Sequence, residues 1–395
     1  MSVLPHAIWW HVYPLGALGA PRFADAEGRP VDGFALESWL DYAVELGCNG
    51  LLLGPIFQSV SHGYDTLDHF AIDPRLGDDA AFDRFVAACR ERGVLLLLDG
   101  VFNHVARTHP LVAEHPEMVR WVDGYPRGWE GNEDLVELDH SHHEVRRLVV
   151  DVMRHWLRRG IAGWRLDVAY AVPTSFWAEV IDEVRAEFPD AVFSGEVIHG
   201  DYVRLVEEAH FDTLTQYELW KAVWSSLVDT NPWELAHALE RHAGFCERFV
   251  PQTFVGNHDV TRIASQVGAD GAAVAAAVLL TVPGSPSIYY GDEQGFTGIK
   301  REQAGGDDEV RPALPASPAE LSTLGAGLYR WHQRLIGLRR RHPWTATGRL
   351  EVTHKADGVL DYAVVSDEAR LDVHLSFADR RVDIVAPGEE LHYPG

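Results

Sequence analysis

The sequence predicts an α/β fold: a (β/α)8 barrel followed by a small antiparallel β domain. Apolar strand-like runs, of which residues 94–102 are the clearest, alternate with amphipathic segments of helical spacing. About eight such units occur before residue 344, and the pattern after that residue changes to alternating apolar and polar positions. Strands without a polar face that alternate with helices indicate a parallel sheet covered on both sides.

The barrel elements follow one another in a regular order. Strands are expected at 7–15, 50–56, 94–102, 161–168, 191–198, 211–218, 251–257 and 286–290, and helices at 36–46, 81–92, 143–159, 174–187, 202–209, 233–243, 271–281 and 324–341. Three of the early helices are expected to end at Gly47, Gly93 and Gly160. Glycine suits the left-handed turn that follows a helix, so these positions fix the boundaries between helix and strand.

Two segments depart from the alternation. Residues 105–134 are polar, aromatic and rich in Pro and Gly, without clear periodicity, and predict a short insertion after the third strand. Residues 345–395 alternate apolar and polar side chains and predict the small antiparallel β domain. The barrel would then comprise residues 1–104 and 135–344.

Composition excludes several classes of partner and site. The net charge is −25, from 34 Lys and Arg against 59 Asp and Glu, which argues against nucleic acid and anionic membranes as partners. The three cysteines are scattered and indicate neither a disulfide framework nor a zinc site. The sequence shows no signal peptide and no apolar run of about 18 residues, so a cytoplasmic protein is expected.

Acidic residues stand at the ends of four predicted strands: Asp99 on the third, Asp167 on the fourth, Glu196 on the fifth and Asp259 on the seventh. In a parallel barrel these ends meet at one rim, where catalytic residues gather. Arg165 points the same way as Asp167 and would keep that carboxylate ionised, although an isolated pair of this kind could equally be structural. Several acids around one opening suit cleavage of a glycosidic bond, in which one carboxyl group attacks and another protonates the leaving oxygen.

Four segments, each at a predicted strand end, carry a family resemblance: DGVFNH (99–104), GWRLDVAY (163–170), GEVI (195–198) and FVGNHD (254–259). With these motifs in this order, the chain resembles the α-amylase family of glycoside hydrolases (family 13) over essentially the whole barrel. Two further segments agree, HGYDTLDHFAIDPRLG (62–77) and LDHSHHEVRR (138–147). The second motif is most similar to that of neopullulanase and cyclomaltodextrinase members.

The resemblance implies a role for each motif residue. Asp167 would be the nucleophile that forms a covalent glycosyl-enzyme, Glu196 the general acid and then base, and Asp259 the stabiliser of the oxocarbenium-like sugar. Substrate contacts would come from Tyr64, Asp65, His104, Arg165, His258 and Arg311. Asp99 would support the site by orienting Arg165, and Asn103 stands where some relatives bind calcium.

Asp65 and Arg311 resemble an Asp and Arg pair that relatives use on glucose near the cleavage site. We expect them to close one end of the cleft and favour short α-glucosides, the alternative being a salt bridge that braces two loops. The aromatic residues of the insertion, Trp121, Tyr125 and Trp129, are equally interpreted as a sugar platform or as core.

The expected function is retaining hydrolysis of α-glucosidic bonds in short α-glucans, with a carbohydrate as the partner. A transglucosylase acting through the same intermediate is an alternative, and an inactive amylase-like binding or scaffold protein is a remote one. No cofactor is expected. A calcium ion needs six or more oxygen ligands, and the short insertion offers no convincing partners for Asn103.

Overall fold

The computed structural model describes residues 3–23, 34–303 and 305–394. Within these ranges, eight parallel strands form one sheet: β1 Trp9–Val12, β2 Gly50–Leu53, β3 Leu95–Gly100, β4 Gly163–Leu166, β5 Val192–Gly195, β6 Thr213–Leu214, β7 Gln252–Phe254 and β8 Ser285–Tyr289. The strand order is β6-β5-β4-β3-β2-β1-β8-β7. A parallel bridge between Thr215 and Gln252 joins β6 to β7, so the sheet closes on itself. The predicted (β/α)8 barrel is therefore confirmed.

Helices follow the strands as predicted, with one addition. Their bounds are α1 Leu40–Leu46, α2 Asp79–Glu91, α3 His143–Arg158, α4 Thr174–Arg185, α5 Tyr202–Ala209, α6 Tyr217–Asp229, α7 Pro232–Cys246, α8 Ile263–Thr281 and α9 Ala326–Arg341. The prediction of a strand running from 211 to 218 was wrong at its end, because helix α6 begins at Tyr217. The side chain of Gln216 caps this helix by accepting the backbone N–H of Leu219.

The first strand is much shorter than predicted. It ends at Val12, and Pro14 opens a short helix, Pro14–Ala17. Proline has no N–H to give to a sheet but fits the first turn of a helix, which explains the early end. The apolar residues after Val12 are buried in the loop that follows the strand, so burial alone did not mark the strand boundary.

The predicted insertion contains regular structure that its composition did not indicate. Strands His104–Ala106, Asn132–Glu137 and Gly128–Trp129 form a three-stranded antiparallel sheet. A separate hairpin pairs Trp121–Val122 with Tyr125–Pro126. This sheet stands on the loop after β3, and Trp129 and its neighbours face the opening of the barrel.

The C-terminal part is a five-stranded antiparallel sheet, as predicted. Its strands are β9 Arg349–Ala356, β10 Val359–Val365, β11 Arg370–Ser376, β12 Arg381–Ala386 and β13 Glu389–Tyr393, each paired with the next in the chain. Leu371, Val373 and Leu375 are buried, and the positions between them are not. The Thr281 Oγ1 and Tyr362 Oη atoms lie 2.6 Å apart, a hydrogen bond that joins helix α8 to β10.

Helix α8 is the one helix in the described ranges that is long and apolar enough to cross a membrane by length and composition. Its most apolar window is 67% buried inside the protein. The apolar character of this helix is thus accounted for by packing.

Candidate active site

The carboxyl ends of the barrel strands surround a cavity of about 1020 Å³. Its lining includes six of the residues that the sequence singled out: Tyr64, His104, Asp167, Glu196, Asp259 and Arg311. These residues come from loops after β2, β3, β4, β5, β7 and β8. The fold therefore brings together side chains that are up to about 250 positions apart in the chain, as a barrel rim does.

Asp167 and Glu196 lie next to each other. Leu166 on β4 pairs with Gly195 on β5, so the two acids follow directly after paired residues of adjacent strands. Adjacent strands are about 4.8 Å apart. Both carboxyl groups are buried at the wall of the cavity, with each residue 5% exposed.

A single guanidinium group contacts both acids. Arg165 Nη1 donates to Asp167 Oδ1 at 3.0 Å and to both carboxylate oxygens of Asp99 at 2.7 Å. Arg165 Nη2 lies 2.6 Å from Glu196 Oε1. Asp99 therefore holds the arginine from behind, as expected, while the arginine fixes the spacing between Asp167 and Glu196.

Glu196 has two further partners that the sequence analysis did not identify. Tyr217 Oη donates to Glu196 Oε1 at 3.2 Å, and the backbone N–H of Val168 donates to Oε2 at 3.0 Å. Val168 has φ +48°, a left-handed conformation that is strained for a β-branched residue and that turns its N–H toward Glu196. Tyr217 is the first residue of helix α6, and its place shortly after the end of β6 is the one sequence signal that could have found it.

The pKa values of Asp167 and Asp259 are shifted in opposite directions. Burial raises the pKa of Asp167 well above its usual value, the neighbouring Glu196 charge adds to this effect, and Arg165 opposes it. Burial would also raise the pKa of Asp259, but His258 and Arg311 outweigh it and hold that pKa well below its usual value. Asp259 is therefore a permanent negative charge beside the cavity, whereas the buried carboxyl group of Asp167 keeps its proton to a higher pH than an exposed one would.

Asp259 is held from two sides. Arg311 Nη2 donates to Oδ1 at 2.9 Å, and His258 Nε2 lies 2.9 Å from Oδ2. His258 Nε2 also contacts Tyr64 Oη, and Tyr64 Oη donates to Asp99 Oδ2 at 2.9 Å. A continuous polar network thus connects Asp259 to the arginine that holds Asp167.

The structure corrects the expectation for Asp65. Its carboxylate accepts the backbone N–H groups of Ser61 and His62 at 3.1 Å and the Ser61 hydroxyl at 2.6 Å, so it stabilises its own loop. Asp65 does not line the cavity. Arg311 instead contacts Asp259 and Asp307, the latter at 3.1 Å, so the alternative interpretation, a salt bridge between Asp65 and Arg311, is not observed either.

Four other predicted residues also lie behind the cavity wall: Asp99, Asn103, Arg165 and His258. Arg165 and His258 are absent from the lining, and His258 is completely buried, so each acts on the cavity through the carboxylates it contacts. Asn103 donates its amide to His104 Nδ1 at 3.2 Å. His104 Nε2 in turn donates to the Tyr64 carbonyl at 3.1 Å, so both ring nitrogens of His104 already have partners in the protein.

The cavity wall contains an ionic cluster that the sequence analysis described only in part. Asp307 bridges Arg311 and Lys300, with an oxygen 2.5 Å from Lys300 Nζ. The guanidinium of Arg311 lies over the ring of Tyr13, 4.5 Å from its centroid. Tyr13, Lys300 and Asp307 all line the cavity, and only loop conformation, which periodicity does not encode, brings them together.

The aromatic residues of the insertion divide into two groups. Trp129 lines the cavity and stacks on His104, with ring centroids 6.3 Å apart and an interplanar angle of 13°. Trp121 and Tyr125 sit on the outer hairpin, 46% and 75% exposed, and do not line the cavity. Only Trp129 is placed to meet a ligand.

No group of three or more His, Cys, Asp or Glu side chains that could hold a metal ion occurs in residues 3–23, 34–303 and 305–394. Asn103, the position that raised the question of calcium, uses its side-chain amide on His104.

Comparison with known proteins finds a matching family model, similar sequences and a similar fold. Residues 20–123 and 129–322 match the family model described as alpha amylase, catalytic domain. The chain is 31% identical over 375 residues to a cyclomaltodextrinase of Geobacillus thermopakistaniensis (strain MAS1), covering 85% of this chain and 62% of that protein. It is also 31% identical to neopullulanase 2 of Thermoactinomyces vulgaris, over 82% of this chain and 58% of the relative.

The chain thus spans about 60% of the length of these two relatives. Among solved structures, the cyclic α-maltosyl-(1→6)-maltose hydrolase of Arthrobacter globiformis in its ligand-free form superimposes with a TM-score of 0.81. That comparison covers 99% of both chains at 24% identity and therefore concerns the fold.

Proposed function

Because the chain belongs to the α-amylase family of glycoside hydrolases, we propose that it hydrolyses α-glucosidic bonds in short malto-oligosaccharides with retention of configuration. The observation that carries the proposal is the pair Asp167 and Glu196, adjacent at the cavity wall and bound to one guanidinium. A retaining glycosidase needs two carboxyl groups about 5–5.5 Å apart, one to attack and one to protonate.

In the proposed first step, a carboxylate oxygen of Asp167 attacks the anomeric carbon. The bond from that carbon to the bridging oxygen breaks, and Glu196 gives its proton to the departing oxygen. This leaves a glycosyl ester on Asp167 and an ionised Glu196. In the second step Glu196 takes a proton from water, the water oxygen bonds to the anomeric carbon, and Asp167 leaves as a carboxylate.

The reaction requires one proton on the pair of acids, and the site favours that state. Two buried carboxyl groups that share one guanidinium repel each other when both are ionised, so the pair retains a proton to a higher pH than an isolated acid would. Burial, and after it the charge of Glu196, raises the pKa of Asp167. Arg165 contacts both acids and can stabilise the negative charge on either as the proton moves.

Asp259 would act on the positive charge that develops at the sugar ring. Its carboxylate lines the cavity, and its low pKa keeps it ionised throughout the cycle. A fixed negative charge near an oxocarbenium-like ring stabilises the transition state more than the ground state. Arg311 and His258 hold the carboxylate in place.

The cluster of Asp307, Lys300 and Arg311 supports a preference for short chains. These charged side chains stand together in the cavity wall, where hydroxyl groups of a terminal sugar would find donors and acceptors. The relatives' names, cyclomaltodextrinase and neopullulanase, also point to malto-oligosaccharide substrates. Arg311→Ala should change the preference between maltotriose and longer chains, and unchanged preference in a folded variant would contradict this part of the proposal.

The function is tested by incubating the protein with maltose, maltotriose, isomaltose, pullulan, cyclodextrin and trehalose, and following product sizes and anomers by NMR. Retaining hydrolysis predicts α-anomeric products first. Products longer than the substrate would instead indicate a transglucosylase, in which a sugar hydroxyl captures the intermediate.

Asp167→Asn separates an enzyme from an inactive binding protein. The variant should lose turnover while keeping its fold by circular dichroism. The control is Asp182→Asn, an exposed acid of α4 that pairs with His210 and should leave turnover unchanged. Equal rates in both variants and the wild type would refute the proposal.

A further inference from the structure

His11, on strand β1, is a buried histidine that the proposed mechanism does not use. It is 5% exposed and does not line the cavity. Its Nε2 atom lies 3.3 Å from His258 Nδ1, and the two rings meet at 88° with centroids 5.1 Å apart. The ring of Tyr289 packs beside it, 5.3 Å away.

The plane of the His258 ring is fixed by its aromatic neighbours. Tyr64 lies nearly parallel to it, at 10° and 5.4 Å, and Tyr13 likewise, at 14° and 5.8 Å. Stacking constrains the plane of an imidazole but does not distinguish its nitrogens from its carbons. The orientation within that plane must come from hydrogen bonds at the two nitrogens.

The Nε2 atom of His258 must carry a hydrogen. It faces Asp259 Oδ2 at 2.9 Å, and an ionised carboxylate can only accept. When His258 is neutral, its single N–H is then at Nε2 and its Nδ1 needs a donor. When His258 is charged, Nδ1 also carries a hydrogen and needs an acceptor.

A neutral histidine can meet both needs, because its Nε2 either donates or accepts according to tautomer. We propose that His11 is a positioning residue that binds His258 Nδ1 in both protonation states and thereby keeps the His258 Nε2–H on Asp259. Its effect on catalysis rests on the function proposed above; its effect on His258 does not.

The charges around the pair are consistent with a neutral His11. Burial, the nearby His258 and the cations Arg165 and Arg262 lower the pKa of His11 well below its usual value, and only Asp259 opposes them. On the far side of His258, Tyr64 leads to Asp99, and Arg311 Nε donates to the His258 carbonyl. Tyr289 is the neighbour from β8 and has an uncharged ring.

Three variants test the proposal. His11→Phe keeps the ring but removes both nitrogens, and His11→Gln keeps a group that donates or accepts. Tyr289→Phe is the matched control, since it alters the other neighbour of His11 without touching the imidazole. We expect His11→Phe to lower kcat on maltotriose about tenfold with a smaller change in KM, His11→Gln to recover most of that loss, and Tyr289→Phe to match the wild type.

Long-range 1H–15N NMR on histidine-labelled protein gives a readout that does not depend on activity. In the wild type, neutral His258 should be the Nε2–H tautomer and His11 should carry its hydrogen on Nε2. In His11→Phe, the 15N shift of His258 Nδ1 should move toward that of an unbonded nitrogen, whereas Tyr289→Phe should leave it unchanged.

Two outcomes would overturn the inference. One is a wild-type His11 with its hydrogen on Nδ1 while His258 is neutral, because two lone pairs would then face each other; this measurement needs no variant to fold. The other is a folded His11→Phe with unaltered His258 shifts and wild-type kcat. If the wild type has no glycosidase activity, the proposed function fails while the NMR result still decides the pairing of His11 and His258.

Discussion

Asp167 and Glu196 contact the two terminal nitrogens of the same guanidinium group, at 3.0 and 2.6 Å. The two acids are next to each other on adjacent strands, so the arginine between them sets both their separation and their shared charge. Nucleophilic attack by Asp167 and proton donation by Glu196 would thus both depend on the guanidinium group of Arg165.

Arg165→Lys should therefore be far more damaging than a change that conserves charge suggests. The guanidinium of Arg165 uses two separate terminal nitrogens to contact the three carboxylates of Asp99, Asp167 and Glu196. An ammonium group has a single nitrogen and cannot reproduce this arrangement. We expect kcat/KM on maltotriose to fall about a hundredfold or more, because small displacements of reacting groups have effects of that size. Arg158→Lys, which changes an exposed partner of Glu187, is the control, and similar kinetics for the two variants would contradict the assignment.

Glu196→Gln should separate proton donation from nucleophilic attack. On maltotriose the departing oxygen needs a proton, and the rate should fall by about 10²–10⁴-fold. On α-glucosyl fluoride the leaving group needs little protonation, so the first step should be largely preserved. Initial rates on the two substrates check this. An equal loss on both would show that Glu196 is not the acid.

Trp129→Ala tests the role of the insertion. The indole lines the cavity and stacks on His104, so its removal should weaken sugar binding and raise KM for maltotriose several-fold. The KM of Trp129→Phe should lie between the KM values of Trp129→Ala and the wild type. Tyr125→Ala, at the exposed hairpin of the same insertion, is the matched control and should leave KM unchanged.

Sequence reasoning predicted the elements whose periodicity is imposed by burial. Strand β3 and helix α3 were placed to within two residues, because the strand is buried at every position after Leu95 and the helix presents a continuous apolar face. Helix α6 was not predicted. Its buried residues Leu219, Val223 and Leu227 have helical spacing, but the helix begins at Tyr217, inside the stretch that was assigned to the sixth strand.

For the site, sequence reasoning placed the acids and the contacts of Arg165 with Asp99 and Asp167, but not the partners of Glu196 and Arg311. Strand ends determine where Asp167, Glu196 and Asp259 lie, and the structure brings all three to one cavity. The partner of Arg311 depends on the conformation of loops with no regular spacing, and it is Asp307 and Asp259 rather than Asp65. The contact of Arg165 with Glu196 joins residues of two different strands, so no pattern within a single segment of the sequence predicts it.

The raised pKa of Asp167 predicts that this residue, although needed for activity, lowers the stability of the folded protein as the pH rises. The unfolded chain ionises this acid at its ordinary pKa, whereas the folded protein holds the proton to higher pH, so Asp167 reduces stability as pH rises between the two values. Asp167→Asn removes that penalty. The melting temperature of Asp167→Asn relative to that of the wild type should increase from pH 5 to pH 8. A difference in melting temperature that does not change with pH would contradict this prediction.

A second buried acid, Glu293, lies away from the catalytic pair. It should also make the protein less stable as the pH rises, but without affecting turnover. Burial raises the pKa of Glu293 from 4.5 to about 7, although the Tyr42 hydroxyl donates to it at 2.8 Å. Between about pH 4.5 and 7 the folded state keeps a proton that the unfolded state has lost, so stability falls across this range and is level above it.

The full effect at Glu293 is about 3 kcal/mol, since each pKa unit corresponds to about 1.36 kcal/mol. Glu293→Gln cannot ionise, so urea unfolding from pH 5 to 8 should show a flatter pH dependence than the wild type, while kcat on maltotriose stays the same. The neighbouring Asp292, whose pKa burial raises to about 6, should leave a residual slope at the acidic end. An unchanged slope in Glu293→Gln would mean that Glu293 is already ionised in the folded protein at pH 5.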